Sequence, residues 1–203
     1  MKRIVLASRN PGKIRELKRL LAGAAERLES LVDHPDVGLP EEGEDSYREN
    51  AHRKARAVFE ALGVPAIGDD SGLEIDVLGG APGVRSARFA GPNADDAANN
   101  NLLLSKLRGV PADHRRARYR CALAFVWAAG ESMEAEGVCE GSILEAPRGK
   151  EGFGYDPLFL PEGKSRSFGE LSDAQKDSIS HRARAAAVLV RAIRQGDWIR
   201  VTP

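Results

Sequence analysis

The sequence predicts an α/β fold built on a mixed sheet, and three observations predict it. Amphipathic helical stretches alternate with short apolar, strand-like ones, the pattern of strands covered by helices. The longest strand pattern turns straight back on itself, and a hairpin needs antiparallel neighbours that a purely parallel sheet lacks. No internal repeat, low-complexity tract or linker interrupts the 203 residues, a length that buries a sizeable core without disulfide or metal staples.

Arg3-Ile4-Val5-Leu6-Ala7 opens the chain as a strand. The turn-rich Ser8-Arg9-Asn10-Pro11-Gly12-Lys13 leads into a helix with Ile14, Leu17, Leu20 and Leu21 on one face. Leu39 to Asp45 is an acidic loop. A second helix runs from about Ser46 to Leu62, with Tyr47, Ala51, Ala55, Val58, Phe59 and Leu62 inward and Arg53 and Lys54 near its middle. Gly63 and Pro65 end it.

Ala66-Ile67 reads as a short strand ending at Gly68-Asp69-Asp70-Ser71-Gly72. Leu73, Ile75 and Val77 then alternate with Glu74 and Asp76 as a further strand, until the Gly79–Gly83 segment breaks it. Asp95 suits the cap of a third helix carrying Ala98, Leu102 and Leu103. Over Arg116 to Ala128, one face holds Ala117, Tyr119, Cys121, Leu123, Phe125 and Trp127. The other face is basic at Arg118 and Arg120 but apolar from Ala122 to Val126, so that half is expected to be covered on both sides. Gly130-Glu131 turns the chain back through Met133 to Ile143. After a glycine- and aromatic-rich loop, the last long helix is expected over about Ser180 to Gln195.

Thirty basic side chains balance thirty acidic ones, so the electrostatic footprint of a nucleic-acid binder is absent and small anions are the partners left. Cys121 and Cys139 are too few for a disulfide framework and lack metal-ligand spacing. In apolar stretches they read as small buried hydrophobes. No uninterrupted apolar run is long enough to span a bilayer and no apolar leader precedes the first strand, so the expectation is a cytoplasmic protein without a membrane partner.

Four polar clusters carry possible chemistry. Ser8, Asn10, Lys13 and the loop amides suit phosphate at a helix start, although the same residues suit an ordinary helix cap. Asp69 and Asp70, together with Glu41 or Glu42, offer hard oxygen ligands of the kind magnesium takes. An Asp-rich turn and surface glutamates would look alike. Phe153, set between glycines, can offer its face to a flat base or fold back on the core. Lys176 to Arg182 places His181 and Arg182 at a helix start, where cations oppose the helix dipole, a small cost that hints at use.

The chain resembles the non-canonical purine nucleoside triphosphate pyrophosphatases, the inosine and xanthosine triphosphate hydrolase family. The matching pieces are Ser8 to Lys13, Glu49-Asn50-Ala51, Asp69 to Leu73, Gly79 to Gly83, Ser86-Ala87-Arg88, Phe153-Gly154-Tyr155-Asp156 and Ser180-His181-Arg182, in order along almost the whole length. Ser8-Arg9 departs from the Thr-Gly of many members, keeping the hydroxyl.

The resemblance implies an elongated two-lobed fold around a long mixed sheet flanked by helices. It also implies a single domain over residues 1–203, a homodimer, and the nucleotide in a cleft. It implies magnesium held by Asp70, Asp69 and Glu41 or Glu42, and water attacking the α-phosphorus with Asp70 as catalytic carboxylate. Ser8, Arg9, Asn10, Pro11, Gly12, Lys13, Lys54, Ser71 and Lys176 are the expected phosphate side. Phe153, Gly154, Tyr155 and Asp156, with His181 and Arg182 donating to a 6-keto oxygen, are the expected base side. Adenine has an amino donor at that position, and each donor left unpaired costs about 1–3 kcal/mol. A pyrophosphatase for other modified nucleotides and a non-catalytic nucleotide sensor are the alternatives.

Overall fold

The computed structural model describes residues 1–43 and 46–196, so Glu44 and Asp45 of the expected acidic loop lie outside the described residues. Seven strands form one mixed sheet: β1 (Arg3–Leu6), β2 (Arg27–Ser30), β3 (Ala66–Ile75), β4 (Pro82–Gly83), β5 (Arg116–Ala128), β6 (Glu131–Ile143) and β7 (Phe159–Pro161). Their order is β2-β1-β3-β5-β6-β7, with β4 paired to β3. β1 runs parallel to β2 and β3, while β3–β4 and β6–β7 are antiparallel. Five α-helices accompany it: α1 (Pro11–Leu20), α2 (Tyr47–Leu62), α3 (Asp96–Lys106), α4 (Asp173–Asp177) and α5 (His181–Gln195). The described residues divide into two compact units, residues 1–43, 46–70, 121–137 and 182–196 forming the first, residues 71–120 and 138–181 the second.

In the first unit, Ile4 and Leu6 of β1 bury against Leu17 of α1, Leu123 and Phe125 of β5, and Ala185, Ala186 and Leu189 of α5. Val5 and Ala7 point the opposite way, as alternate strand residues must, and meet Leu31, Val58 and Ala66. Ala51 and Ala55 of α2 lie on Ala122, Ala124 and Val126 of β5, so the expected two-sided cover of that strand is present. The small residues on both elements let helix and strand approach closely. Gly68 serves the same approach, because a Cβ there would stand 1.9 Å from the carbonyl oxygen of Ala51.

The second unit has its own core, in which Leu73, Ile75, Leu103 and Leu107 pack with Tyr119, Phe159 and Phe168. α3 is capped as expected, Asp95 accepting from the Ala98 N–H. Among the described residues no helix is long and apolar enough to cross a membrane.

Two readings need correction. Residues 68–72 are no turn between two strands but the middle of the continuous strand β3, and both aspartates are buried there. Their charges are matched by cations from neighbouring helices, which removes the solvation demand that made a turn plausible. The alternation expected to reach Val77 stops at Ile75: Asp76–Leu78 form a 3₁₀ turn and Val77 is half exposed. β2, β7 and the five-residue α4 are too short for periodicity to reveal them.

Candidate active site

The first polar cluster folds as a capped helix start. Asn10 accepts the Lys13 N–H through Oδ1 at 3.0 Å, Pro11 occupies the first helical position, and the Asn10 N–H donates to Ser8 Oγ at 3.2 Å. Arg9 turns away from the helix start. Its guanidinium donates to the carbonyls of Pro35 and Val37, so its side chain fastens a loop. Gly12 is buried in α1. Lys13 reaches from α1 to Asp69, with Nζ 2.5 Å from Oδ1.

Asp69 and Asp70 are neighbours in one strand and therefore face opposite ways. Asp69 meets α1 and α5: besides Lys13 it accepts from Arg182 Nε at 2.8 Å and from the thiol of Cys121 at 3.3 Å. Burial pushes its carboxyl up, but Arg182 and then Lys13 outweigh that and hold it well below the usual range. Arg182, the largest fully buried side chain among the described residues, also meets Glu16 at 2.5 Å. Cys121 is buried as expected, yet it is more than a small hydrophobe. Desolvation first, then the Asp69 charge, pushes its thiol well up, and it stays a proton donor to the carboxylate.

Asp70 meets α2. Asn50 Nδ2 donates to its Oδ2 at 3.0 Å, and Lys54 Nζ lies 3.3 Å from Oδ1. Desolvation raises the Asp70 pKa and is only partly offset by Lys54 and Lys13. Lys54 also contacts the Glu42 carboxylate and donates to the Asp69 carbonyl at 3.2 Å. Glu41 offers only its backbone carbonyl, to Arg53. Asn50 additionally donates to the Gly43 carbonyl at 3.0 Å and accepts the Gly43 N–H at 2.7 Å, pinning the acidic loop beside Asp70.

The first unit thus gathers Lys13, Lys54, Asp69, Asp70, Arg182 and Glu42 into one charged cluster. Arg182 bonds the carboxylates of Asp69 and Glu16. Asp69 has its oxygens occupied by cations and a thiol, whereas Asp70 has one oxygen on Lys54 and the other on the Asn50 amide. Asn50 and Glu16 were the functional neighbours that residue type alone does not flag. The i, i+4 spacing of Asn50 and Lys54 on one helix face was the available signal.

The second unit holds the remaining expected residues. Asp156 is buried, accepting the Phe153 N–H at 2.9 Å and Lys176 Nζ at 2.5 Å through Oδ2. Lys176 lies 4.9 Å from the Phe153 ring centre and 5.3 Å from that of Phe168. His181 is buried and stacked on Tyr119, ring centres 4.6 Å apart and 7° from parallel. Tyr155 is buried with its hydroxyl donating to the Ser86 carbonyl, which makes it a support of the loop. Gly154 adopts φ +62°, a left-handed conformation that favours glycine. Ser71 follows Asp70 in β3 and is partly exposed.

The Ham1 family's sequence model matches residues 4–192. A Desulforamulus reducens protein named dITP/XTP pyrophosphatase is 49% identical over 183 residues, 90% of this chain and 91% of that protein. A Geobacter sulfurreducens protein of the same name is 46% identical, covering 93% and 95%. The solved structure of a HAM1 protein from Coxiella burnetii matches with a TM-score of 0.85 at 38% identity, over 96% of this chain and 100% of that one.

Proposed function

The chain belongs to the Ham1 family, and from that premise we propose that it hydrolyses inosine, deoxyinosine and xanthosine triphosphates to the monophosphate and pyrophosphate. The observation that carries the reading is the pair of lysines on adjacent carboxylates: Lys13 on Asp69 and Lys54 on Asp70. Lysines so placed neutralise and position a polyphosphate, the main lever in phosphoryl chemistry. The names of the relatives, dITP/XTP pyrophosphatase, supply the substrate class.

The donor set fits a magnesium ion. The carboxylates of Glu42 and Asp70 converge on the ammonium of Lys54, which sets hard oxygen donors beside a group able to meet a phosphate. Among the described residues no group of three acidic, His or Cys side chains forms a ready cage. Magnesium needs none, since one or two carboxylates with water and phosphate oxygens suffice. Glu42 and Asp70, which already share one cation in Lys54, are the ligands in this proposal, in preference to Glu41 and Asp69. Bound magnesium would polarise the phosphate oxygens and offset the charge of the leaving pyrophosphate.

Asp70, fixed through Asn50 and Lys54, orients and deprotonates the water that attacks the α-phosphorus. The bond to the α–β bridging oxygen breaks and pyrophosphate leaves. Burial raises the Asp70 pKa, and a bound magnesium would oppose that rise, so carboxylate and metal would share the activation of the water. Lys13 and Lys54, with Ser8, Asn10 and Ser71, hold the phosphates. Phe153 stacks on the base, Lys176 and Asp156 shape its surroundings, and His181 reads the 6-keto oxygen. The same reading includes a cytoplasmic homodimer that binds neither nucleic acid nor membrane.

The test is turnover of the purified protein across adenosine, guanosine, inosine and xanthosine triphosphates with magnesium, separating phosphate from pyrophosphate. Pyrophosphate from the inosine and xanthosine substrates is expected. Release of single phosphates, or equal turnover of adenosine triphosphate, would overturn the reading.

A further inference from the structure

The loop that carries Phe153 is gripped from outside by α3. Asp96 Oδ2 accepts the Gly154 N–H at 2.7 Å, and Asn100 Nδ2 donates to the Gly154 carbonyl at 2.9 Å. The two side chains lie four residues apart, on one helix face. They are 58 and 54 residues from the glycine they hold, so the contact is a tertiary one. One of these bonds fixes the peptide joining Phe153 to Gly154 and the other fixes the next peptide, so the backbone leaving Phe153 is held at both planes. The bond to Asp96 is charge-assisted, and such bonds are the stronger kind.

The loop itself adds one backbone bond to this grip, the Asp156 N–H donating to the Phe153 carbonyl at 3.3 Å. Asp156 holds the N–H of Phe153 itself, and Tyr155 anchors to the Ser86 carbonyl. Neither touches the Phe153–Gly154 peptide through its own side chain. Gly154 sits at φ +62° with open space where a Cβ would go, so its conformation is held by these bonds and by its lack of a side chain, not by crowding.

We infer that Asp96 and Asn100 form a clamp that sets the angle of the Phe153 ring, making them positioning residues for base recognition. This rests on Phe153 stacking the base, as proposed above. Their bonds go to the peptides that follow Phe153, so the clamp acts on base affinity and leaves phosphate affinity alone.

The test compares Asp96→Ala, Asn100→Ala and the double variant with wild type, using inosine triphosphate as substrate and inorganic tripolyphosphate, which has no base, as competitive inhibitor. For the double variant KM rises about tenfold, equivalent to about 1.4 kcal/mol of binding. Its kcat stays within about twofold, the mark of lost uniform binding, and the tripolyphosphate inhibition constant does not move. Asp96→Asn, which keeps an acceptor oxygen, restores most of the effect of Asp96→Ala. Gly154→Ala disturbs the same peptides from the loop side and gives the same split even if the α3 variants fold poorly. Unchanged KM in the clamp variants while Phe153→Ala raises it overturns the clamp and leaves the stacking role standing. A silent Phe153→Ala overturns both. Equal shifts in KM and in tripolyphosphate inhibition also overturn the clamp, because a base-side device cannot act on a base-free inhibitor.

Discussion

In the first unit four carboxylates are interleaved with three cations, whereas in the second the buried carboxylate of Asp156 meets the ammonium of Lys176 among aromatic rings. The difference shows how burial of charge relates to use. The Asp156–Lys176 pair gains from ring faces that favour a cation. The cluster around β3 instead sets two carboxylates, Glu42 and Asp70, on the ammonium of Lys54, the place where the proposed magnesium would join them. Within that cluster Asp69 is the neutralised member, and Asp70 is the one left with a raised pKa.

Asp70→Asn tests that difference most severely. Turnover of inosine triphosphate should fall about 10²- to 10⁴-fold, the usual contribution of a general base, with the fold retained. Near-normal turnover would place the chemistry elsewhere.

Next comes Arg182→Ala, which takes from Asp69 and Glu16 the buried guanidinium they share and should cost about 3–5 kcal/mol in urea unfolding. This reverses the expectation from sequence, in which a base-reading arginine would matter more to activity than to folding. Lys176→Ala in the second unit strands only Asp156, whose carboxylate keeps the Phe153 N–H and the Tyr119 hydroxyl. A smaller loss, about 1–3 kcal/mol, is expected there. Equal losses from the two substitutions would erase the contrast between network and pair.

Phe153→Ala should raise KM for inosine triphosphate about tenfold or more, given about 1–3 kcal/mol for stacking a base. Urea midpoints should hardly change.

The smallest effect belongs to a partly exposed pair used as a control for both buried clusters. The Ser167 N–H, then Arg148, hold the Glu170 carboxyl below its ordinary value of 4.5. A carboxyl whose pKa is lower in the folded state stabilises above the unfolded value, and that contribution disappears as pH falls through the folded one. Wild type should therefore exceed Glu170→Gln slightly at neutral pH and lose that margin below about pH 4.5. A large margin would mean that exposed and buried pairs in this protein are not so different.

Much of this was legible in the residues. The helices over residues 47–62 and 96–106 and the long hairpin announced themselves through periodicity and caps, because those signals are local. The motif stretches from Ser8 to Arg182 marked which side chains matter. What the residues did not disclose was which carboxylate each cation would take. Glu16 and Arg182 stand 166 positions apart, and Asp69 and Arg182 113 apart, so no pattern along the chain joins them. Two aspartates adjacent in sequence look like one ligand pair. Only placement inside a strand turns Asp69 toward α1 and α5 and Asp70 toward α2, since successive strand residues face opposite sides of a sheet. Residue type and local spacing determined the elements and the inventory of chemical groups. The sheet, by sorting neighbours onto opposite faces between different helices, decided which of those groups is locked in an ion network and which is left to act.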